Sequence, residues 1–198
     1  SLFIAAALAS IPSLGTGIVN GLFDDPVPAN GTGAGWTSMH VDNLGGWQTA
    51  GGFSGPYFVL NDGGQANSDP TLSQVVTGLV PGTLYVVSGR YASWYYNASP
   101  VGGSSFKVDV DGATAFTGTA GALQQWRSFA APFTATGTTV VVAIRAEVDG
   151  SDNDFAVDSV AIAAVPDPNC RADLNSDQFV DDADFVLFAE AYNFLFCP

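Results

Sequence analysis

The residues from Asp173 to Asp184 read Asp-Leu-Asn-Ser-Asp-Gln-Phe-Val-Asp-Asp-Ala-Asp. A 12-residue calcium loop takes oxygen ligands from positions 1, 3, 5, 7, 9 and 12, the seventh through a backbone carbonyl. Those positions are Asp173, Asn175, Asp177, Phe179, Asp181 and Asp184. Ca2+ is a hard cation that accepts six to eight oxygens, and this spacing wraps such a set around one point. Val180, at position 8, can pack inward or pair with a partner strand. The spacing then predicts a helix over Asp182–Asn193, with Phe185, Leu187 or Phe188, and Tyr192 near one face. Cys170 and Cys197 bracket this unit, and a disulfide between them implies an oxidising compartment. Closing that loop contributes about 3–4 kcal/mol in the chain-entropy model. So short a unit builds little core of its own, which a bridge and an ion would offset.

The rest of the composition excludes more than it offers. The chain has 198 residues, with 5 basic and 19 acidic side chains and a formal net charge of −14. Five scattered cations cannot neutralise a run of phosphates, so no nucleic acid is expected as a partner. Adhesion to an anionic membrane surface fails on the same count. Only two of the 19 acids, Glu147 and Glu190, are glutamate. Aspartate favours turns and hard-cation sites over strand and helix interiors, which suits a calcium-rich extracellular setting. One histidine (His40) and one lysine (Lys107) leave little for nucleophile-plus-base catalysis, and no acid or nucleophile motif surrounds His40. No enzyme is expected.

The elements that must carry these groups fall into three units: 1–17, 18–165 and 166–198. The first is an apolar arm followed by the linker Ser10–Gly17. Its run from Leu2 to Ala9 is too short to span a bilayer, so no membrane insertion is expected. It has the apolar core and small-residue end of a secretory signal, but no basic segment precedes it. Read as a strand, it places Leu2, Ile4 and Leu8 on one face and Phe3 among alanines on the other. Burying Leu2, Phe3, Ile4 and Leu8 would contribute about 6–10 kcal/mol. The second unit alternates short Val-, Thr-, Phe- and Tyr-rich runs with Gly, Asn, Asp and Pro. Strands are expected at Ile18–Phe23, Tyr57–Leu60, Leu72–Thr77, Leu84–Tyr95, Ser105–Asp111, Gln125–Phe129, Thr139–Ala146 and Phe155–Ala163. Strict alternation over Lys107–Asp111 predicts one solvated face, and Asp111-Gly112 a tight turn. The continuous apolar run Val140–Ile144 predicts a strand buried on both faces. Eight or more antiparallel strands imply an all-β fold, a jelly-roll β-sandwich. After a Pro-rich joint at 164–169 the pattern changes to the calcium loop and helix.

Two resemblances follow from these residues. The segment 173–184 is similar to a type I dockerin repeat. Gln178 stands where that pattern has a glycine, and one copy is present where a cohesin-docking dockerin carries two. The segments Val19–Asp24, Leu72–Tyr85 and Phe155–Ile162 resemble, in order and spacing, the galactose-binding-like β-sandwiches that include many carbohydrate-binding modules. That resemblance implies a structural calcium joining the first and last strands, with Asp24 and Asp158 as its acids. It also implies sugar binding through exposed aromatic faces. The candidates are Trp36, Trp47, Tyr57, Trp94, Tyr95, Tyr96 and Trp126. Residues on a strand alternate in direction, so Trp94 and Tyr96 share one face, and these two are the foremost sugar-binding candidates. Asn30-Gly31-Thr32 and Asn97-Ala98-Ser99 fit the glycosylation sequon.

Three functions are compatible with these features, all secreted or at the cell surface. The first is a self-assembling structural protein. Its arm would complete the sheet of a neighbouring copy, and such head-to-tail strand addition yields filaments. The second is a module binding cell-surface glycans. The third is a scaffold component docking through the calcium unit.

Overall fold

A computed structural model describes residues 17–42, 44–61, 69–94, 105–147, 154–165, 172, 174 and 180–195. Among the described residues eleven strands form two antiparallel sheets, followed by one helix. The strands are β1 (Gly31–Gly33), β2 (Trp36–Met39), β3 (Gly46–Gln48), β4 (Tyr57–Leu60), β5 (Thr71–Thr77) and β6 (Leu84–Trp94). They continue with β7 (Ser105–Val110), β8 (Ala113–Thr119), β9 (Arg127–Thr134), β10 (Thr139–Glu147) and β11 (Asp154–Ala164). The helix, α1, spans Asp182–Leu195. One sheet runs β1-β2-β5-β10-β7-β8 and the other β3-β4-β11-β6-β9. This is the all-β sandwich expected, with one short C-terminal helix. No helix among the described residues is long and apolar enough to cross a membrane.

The core lies between the sheets. Leu72, Val108, Val142 and Ile144 from one sheet meet Phe58, Leu60, Tyr91, Phe155 and Val157 from the other. Phe106 links the halves, stacking on Tyr91 at 4.6 Å and lying 5.9 Å from Phe155. The Asp111-Gly112 turn joins β7 to β8 with positive φ at both residues (49° and 80°), the geometry that matches strand twist in a two-residue hairpin.

Several expectations need correction. Ile18–Phe23 is not a strand. Asn20 and Phe23 adopt φ of 51° and 56°, a left-handed conformation outside regular extended geometry. The segment is a knot of turns. The Asn20 carbonyl accepts the Trp36 indole N–H at 3.1 Å, and the Phe23 carbonyl accepts that of Trp47 at 2.7 Å. Gly21 is required there, because a Cβ would fall 1.9 Å from the Val160 carbonyl oxygen. The strand expected at Gln125–Phe129 begins later and runs to Thr134 through Pro132. Proline is tolerated because β9 is an edge strand. The short glycine-bearing strands β1 and β3, together with β2 and β8, were not legible.

The face assignments also change. Val140–Ile144 alternates: Val140, Val142 and Ile144 are buried, but Val141 is exposed. It is therefore covered on one face only. Lys107 and Asp109 do face away from the core, yet they are not freely solvated. Arg145 donates from Nε to Asp109 at 2.7 Å and contacts Asp69 and Glu147, while Lys107 pairs with Glu147. The strands buried on both faces are instead β4 and the first half of β11.

Candidate functional site

The double burial of β4 and β11 has a local cause. Strand alternation sends Phe58, Leu60, Phe155 and Val157 into the core, so Tyr57, Val59 and Ala156 must point away from it. These three form a second buried cluster, against which Trp94 and Trp126 pack. Register aligns them, with Ala156 opposite both Val59 and Ala92. Ala92 and Ala156 are fully buried although they lie on the outer face. Small residues there form a floor on which large rings can lie flat.

The rings come from three separate places. Tyr57 opens β4, and Trp94 closes β6 at 4.9 Å from it. Trp126 precedes β9 and meets Tyr57 edge-on at 6.0 Å and Trp94 at 6.5 Å. Buried Ser93 delivers Trp126. Its Oγ accepts the Gly121 N–H and its carbonyl the Gln124 N–H, both at 2.8 Å. A fourth ring, half-exposed Phe53, packs edge-on against Trp126 at 6.5 Å. Tyr57 is nearly covered, whereas Trp94 and Trp126 stay partly open to solvent. Polar groups share this face. Arg90 stacks over Phe53 at 4.4 Å and donates to Ser128, and the buried carboxylates Asp154 and Asp158 lie cross-strand from Trp94 and Arg90.

Asp154 and Asp158 lie four residues apart on β11 and share its outward side. Both Asp158 oxygens are engaged, by the N–H and hydroxyl groups of Ser54 and Ser159. His40 is exposed on the turn after β2.

The sequence candidates divide as follows. Trp94 lies on the face, but Tyr95 and Tyr96 lie outside the described residues. Trp36 and Trp47 are removed from it, since both anchor the turn at 20–23. Trp126 and Tyr57 belong to it. Phe53 and Arg90 escaped the sequence reading. The one available signal for Phe53 was a large ring set among glycines and serine in Gly-Gly-Phe-Ser-Gly. Asp24 is exposed and Asp158 fully buried, and the groups converging on Asp158 are hydrogen-bond donors. Among the described residues no three His, Cys, Asp or Glu side chains group as a metal site. Asn30 exchanges two hydrogen bonds with the Val41 backbone, 2.7 Å from Nδ2 and 3.1 Å to Oδ1, so its amide has a structural task.

Of the expected calcium ligands, Asp181 and Asp184 are described, whereas Asp173, Asn175, Asp177 and Phe179 lie outside the described residues. The arm residues Leu2, Phe3, Ile4 and Leu8 and the cysteines Cys170 and Cys197 also lie outside the described residues. Asp181 caps α1, accepting the Ala183 N–H at 2.8 Å, while Asp184 reaches back to the Asp181 N–H at 3.0 Å. This reciprocal arrangement satisfies two otherwise orphaned donors at the helix start. The other oxygen of buried Asp184 accepts the Leu174 N–H at 2.6 Å. Position 12 of the segment thus meets position 2. The six ligands expected from the sequence are all oxygen donors, the chemistry calcium takes.

No family model and no curated protein sequence matches this chain. Solved structures match in fold. A protein from Bacteroides thetaiotaomicron, provisionally named as sugar-binding, aligns with a TM-score of 0.57 at 12% identity, over 75% of this chain and 99% of that one. The carbohydrate-binding module TmCBM61, solved in complex with β-1,4-galactotriose, aligns with a TM-score of 0.51 at 13% identity, over 74% and 96%. A cyclase from Fischerella sp. TAU, bound to 4-(1H-indol-3-yl)butan-2-one, aligns with a TM-score of 0.54 at 14% identity, over 74% and 95%. The shared sandwich therefore hosts both binding and catalysis, and function must be argued from the face itself.

Burial under the neighbouring rings raises the Tyr57 phenol above its ordinary pKa of 10.0. Desolvation penalises the phenolate in the folded state only. The folded state therefore holds its proton longer, and stability falls as pH rises past the unfolded value towards the folded one. Thermal melts between about pH 8 and pH 11 should show a steeper alkaline loss for the wild type than for Tyr57→Phe, with little difference near neutrality.

Proposed function

We propose that this chain is a non-catalytic, extracellular carbohydrate-binding module whose sugar platform is the outer face of the five-stranded sheet. The observation that carries this reading is the cluster of Trp94 and Trp126 over Tyr57, with Phe53 against Trp126. Large rings gather outside the core and keep part of their faces in water. A pyranose presents apolar C–H faces ringed by hydroxyls. It can stack on such rings while Arg90 and Ser128 meet its hydroxyls, the combination of apolar lining and a few polar groups typical of ligand sites. The fold likeness to modules solved with oligosaccharides supports this choice. Self-assembly through Leu2, Phe3, Ile4 and Leu8 would not require an aromatic cluster on this face, so glycan binding is the better-supported reading.

The C-terminal unit is read as a calcium-dependent appendage. Asp173, Asn175, Asp177, the Phe179 carbonyl, Asp181 and Asp184 would hold Ca2+, and a Cys170–Cys197 bridge would close the unit. Both features suit an oxidising, calcium-rich exterior.

Retention on insoluble xylan, galactan and cellulose tests the main reading. The wild type should bind at least one of them. Trp94→Ala and Trp126→Ala should each weaken that binding about tenfold, or ~1.4 kcal/mol, without unfolding the sandwich. Failure of all three polymers to retain the wild type, or undiminished binding by both variants, would count against it. Separately, titrating the chelator-treated chain with Ca2+ should order the C-terminal unit, raising its resistance to proteolysis. Asp173→Ala should abolish that gain and leave glycan retention intact.

A further inference from the structure

The turn that carries Phe53 is held by a single buried carboxylate. Asp158 is fully buried in the outer half of β11, where the ladder to β6 shifts register between Asp158 and Ala161. One of its oxygens accepts the Ser54 backbone N–H at 2.9 Å, and the other accepts the Ser159 N–H at 2.5 Å. The Ser54 hydroxyl lies 3.2 and 3.3 Å from the two oxygens and 3.1 Å from the Ser159 hydroxyl. A carboxylate taken out of water must be matched by hydrogen bonds, and a buried one left without them costs several kcal/mol. Two of these donors belong to the loop between β3 and β4. If that loop lifted away, Asp158 would lose them, so the carboxylate and the loop hold each other in place.

The loop is shaped to be held. Gly51 and Gly55 have φ of 98° and 144°, and the Gly52 N–H donates to the Gly55 carbonyl at 2.9 Å. A Cβ on Gly52 would fall 2.8 Å from the nearer Asp158 oxygen and 2.7 Å from the Gly55 carbonyl, so the turn sits as close to the sheet as a backbone can. Phe53 lies between the two pinned residues, Gly52 and Ser54. Its ring extends over the Arg90 guanidinium and meets the edge of Trp126. Arg90 is the register partner of Asp158.

We infer that Phe53 is a ligand-contacting ring of the platform and that Asp158 is its positioning residue, acting through the Gly51–Gly55 turn. The inference rests on the glycan-binding reading for the contact made by Phe53. The positioning by Asp158 stands apart from it. A preset ring adds stacking surface without an ordering cost on binding, which is how preorganisation raises affinity.

Two readouts separate the parts. In the ligand-free full chain, the Phe53 ring should shift the Arg90 side-chain protons upfield in the NMR spectrum. Phe53→Ala should return them to ordinary positions. Asp158→Asn, and Gly52→Ala as a variant that leaves the charge in place, should do the same. Unmoved Arg90 resonances in both folded variants would overturn the positioning role. If Asp158→Asn does not fold, Gly52→Ala decides. The second readout is affinity for a soluble fragment of whichever polymer retains the wild type, with xylohexaose as the first probe. Phe53→Ala should weaken binding about tenfold. Gly52→Ala and Asp158→Asn should weaken it by a like factor alone, but less than twofold in a Phe53→Ala background, even though they lower the melting temperature in both. Full additivity would overturn action through Phe53, since a merely structural residue would lose affinity in either background. Unchanged affinity in Phe53→Ala, with loss in Trp94→Ala, would remove Phe53 from the contact set. Loss of binding in none of the variants would instead contradict the glycan reading, leaving the NMR result to decide the positioning role.

Discussion

The two-residue period of the β-strand governs this molecule. Each central strand of the five-stranded sheet must send half its side chains away from the inter-sheet core. In β4 and the first half of β11 those outward residues are apolar, and water is a poor neighbour for them. Trp94 and Trp126 pack over Tyr57, Val59 and Ala156. The platform is thus a consequence of how the central strands are satisfied. Its rings bury the outer face of the sheet and, in doing so, present what remains of their own faces outwards. On the proposed reading, one set of side chains serves stability and recognition together.

That arrangement depends on segments that arrive from elsewhere in the chain. Ser93 ties down the approach to Trp126, and Asp158 ties down the turn bearing Phe53. Neither tie is apolar. Both use buried polar groups whose partners are mostly backbone N–H donors, so each fixes a direction as well as a position. The other sheet has a different solution for its outer face. There Arg145, Lys107, Asp109 and Glu147 make an ion network, and Val75 and Val141 stay exposed. The two outer faces of one sandwich are therefore chemically distinct, and among the described residues only one of them gathers aromatic rings.

Much of this was legible in the sequence, and the limits have physical causes. Alternation located the core strands β5, β6, β7 and β10 to within a few residues, and Asp111-Gly112 marked its hairpin. A continuous apolar run, however, does not say whether both faces are covered. Val140–Ile144 and Tyr57–Leu60 look alike in this respect, yet only the latter has rings brought over it by distant segments. Ile18–Phe23 carries the apolar residues of a strand, but the indoles of Trp36 and Trp47 bond its carbonyls and it folds as turns. Short strands such as β1 and β3 carry too few side chains to show a period. At the site, Trp94 could be placed by its aromatic neighbours. Phe53 and Arg90 could not, because their proximity is created by Asp158, 105 residues from Phe53 along the chain. In the C-terminal unit the helix was legible from its apolar spacing, and it begins at Asp182 as expected, with Asp181 and Asp184 capping it.

The four tryptophans provide the most direct test of the platform. Trp36 and Trp47 donate their indole N–H groups to backbone carbonyls inside the fold, whereas Trp94 and Trp126 lie on the outer face. Following all four indole N–H resonances by NMR while xylohexaose and β-1,4-galactotriose are titrated would read both pairs in one sample. The account predicts saturable shifts at Trp94 and Trp126 with Trp36 and Trp47 unmoved. Binding of either sugar that leaves Trp94 and Trp126 in place, or that moves the Trp36 and Trp47 pair instead, would contradict it.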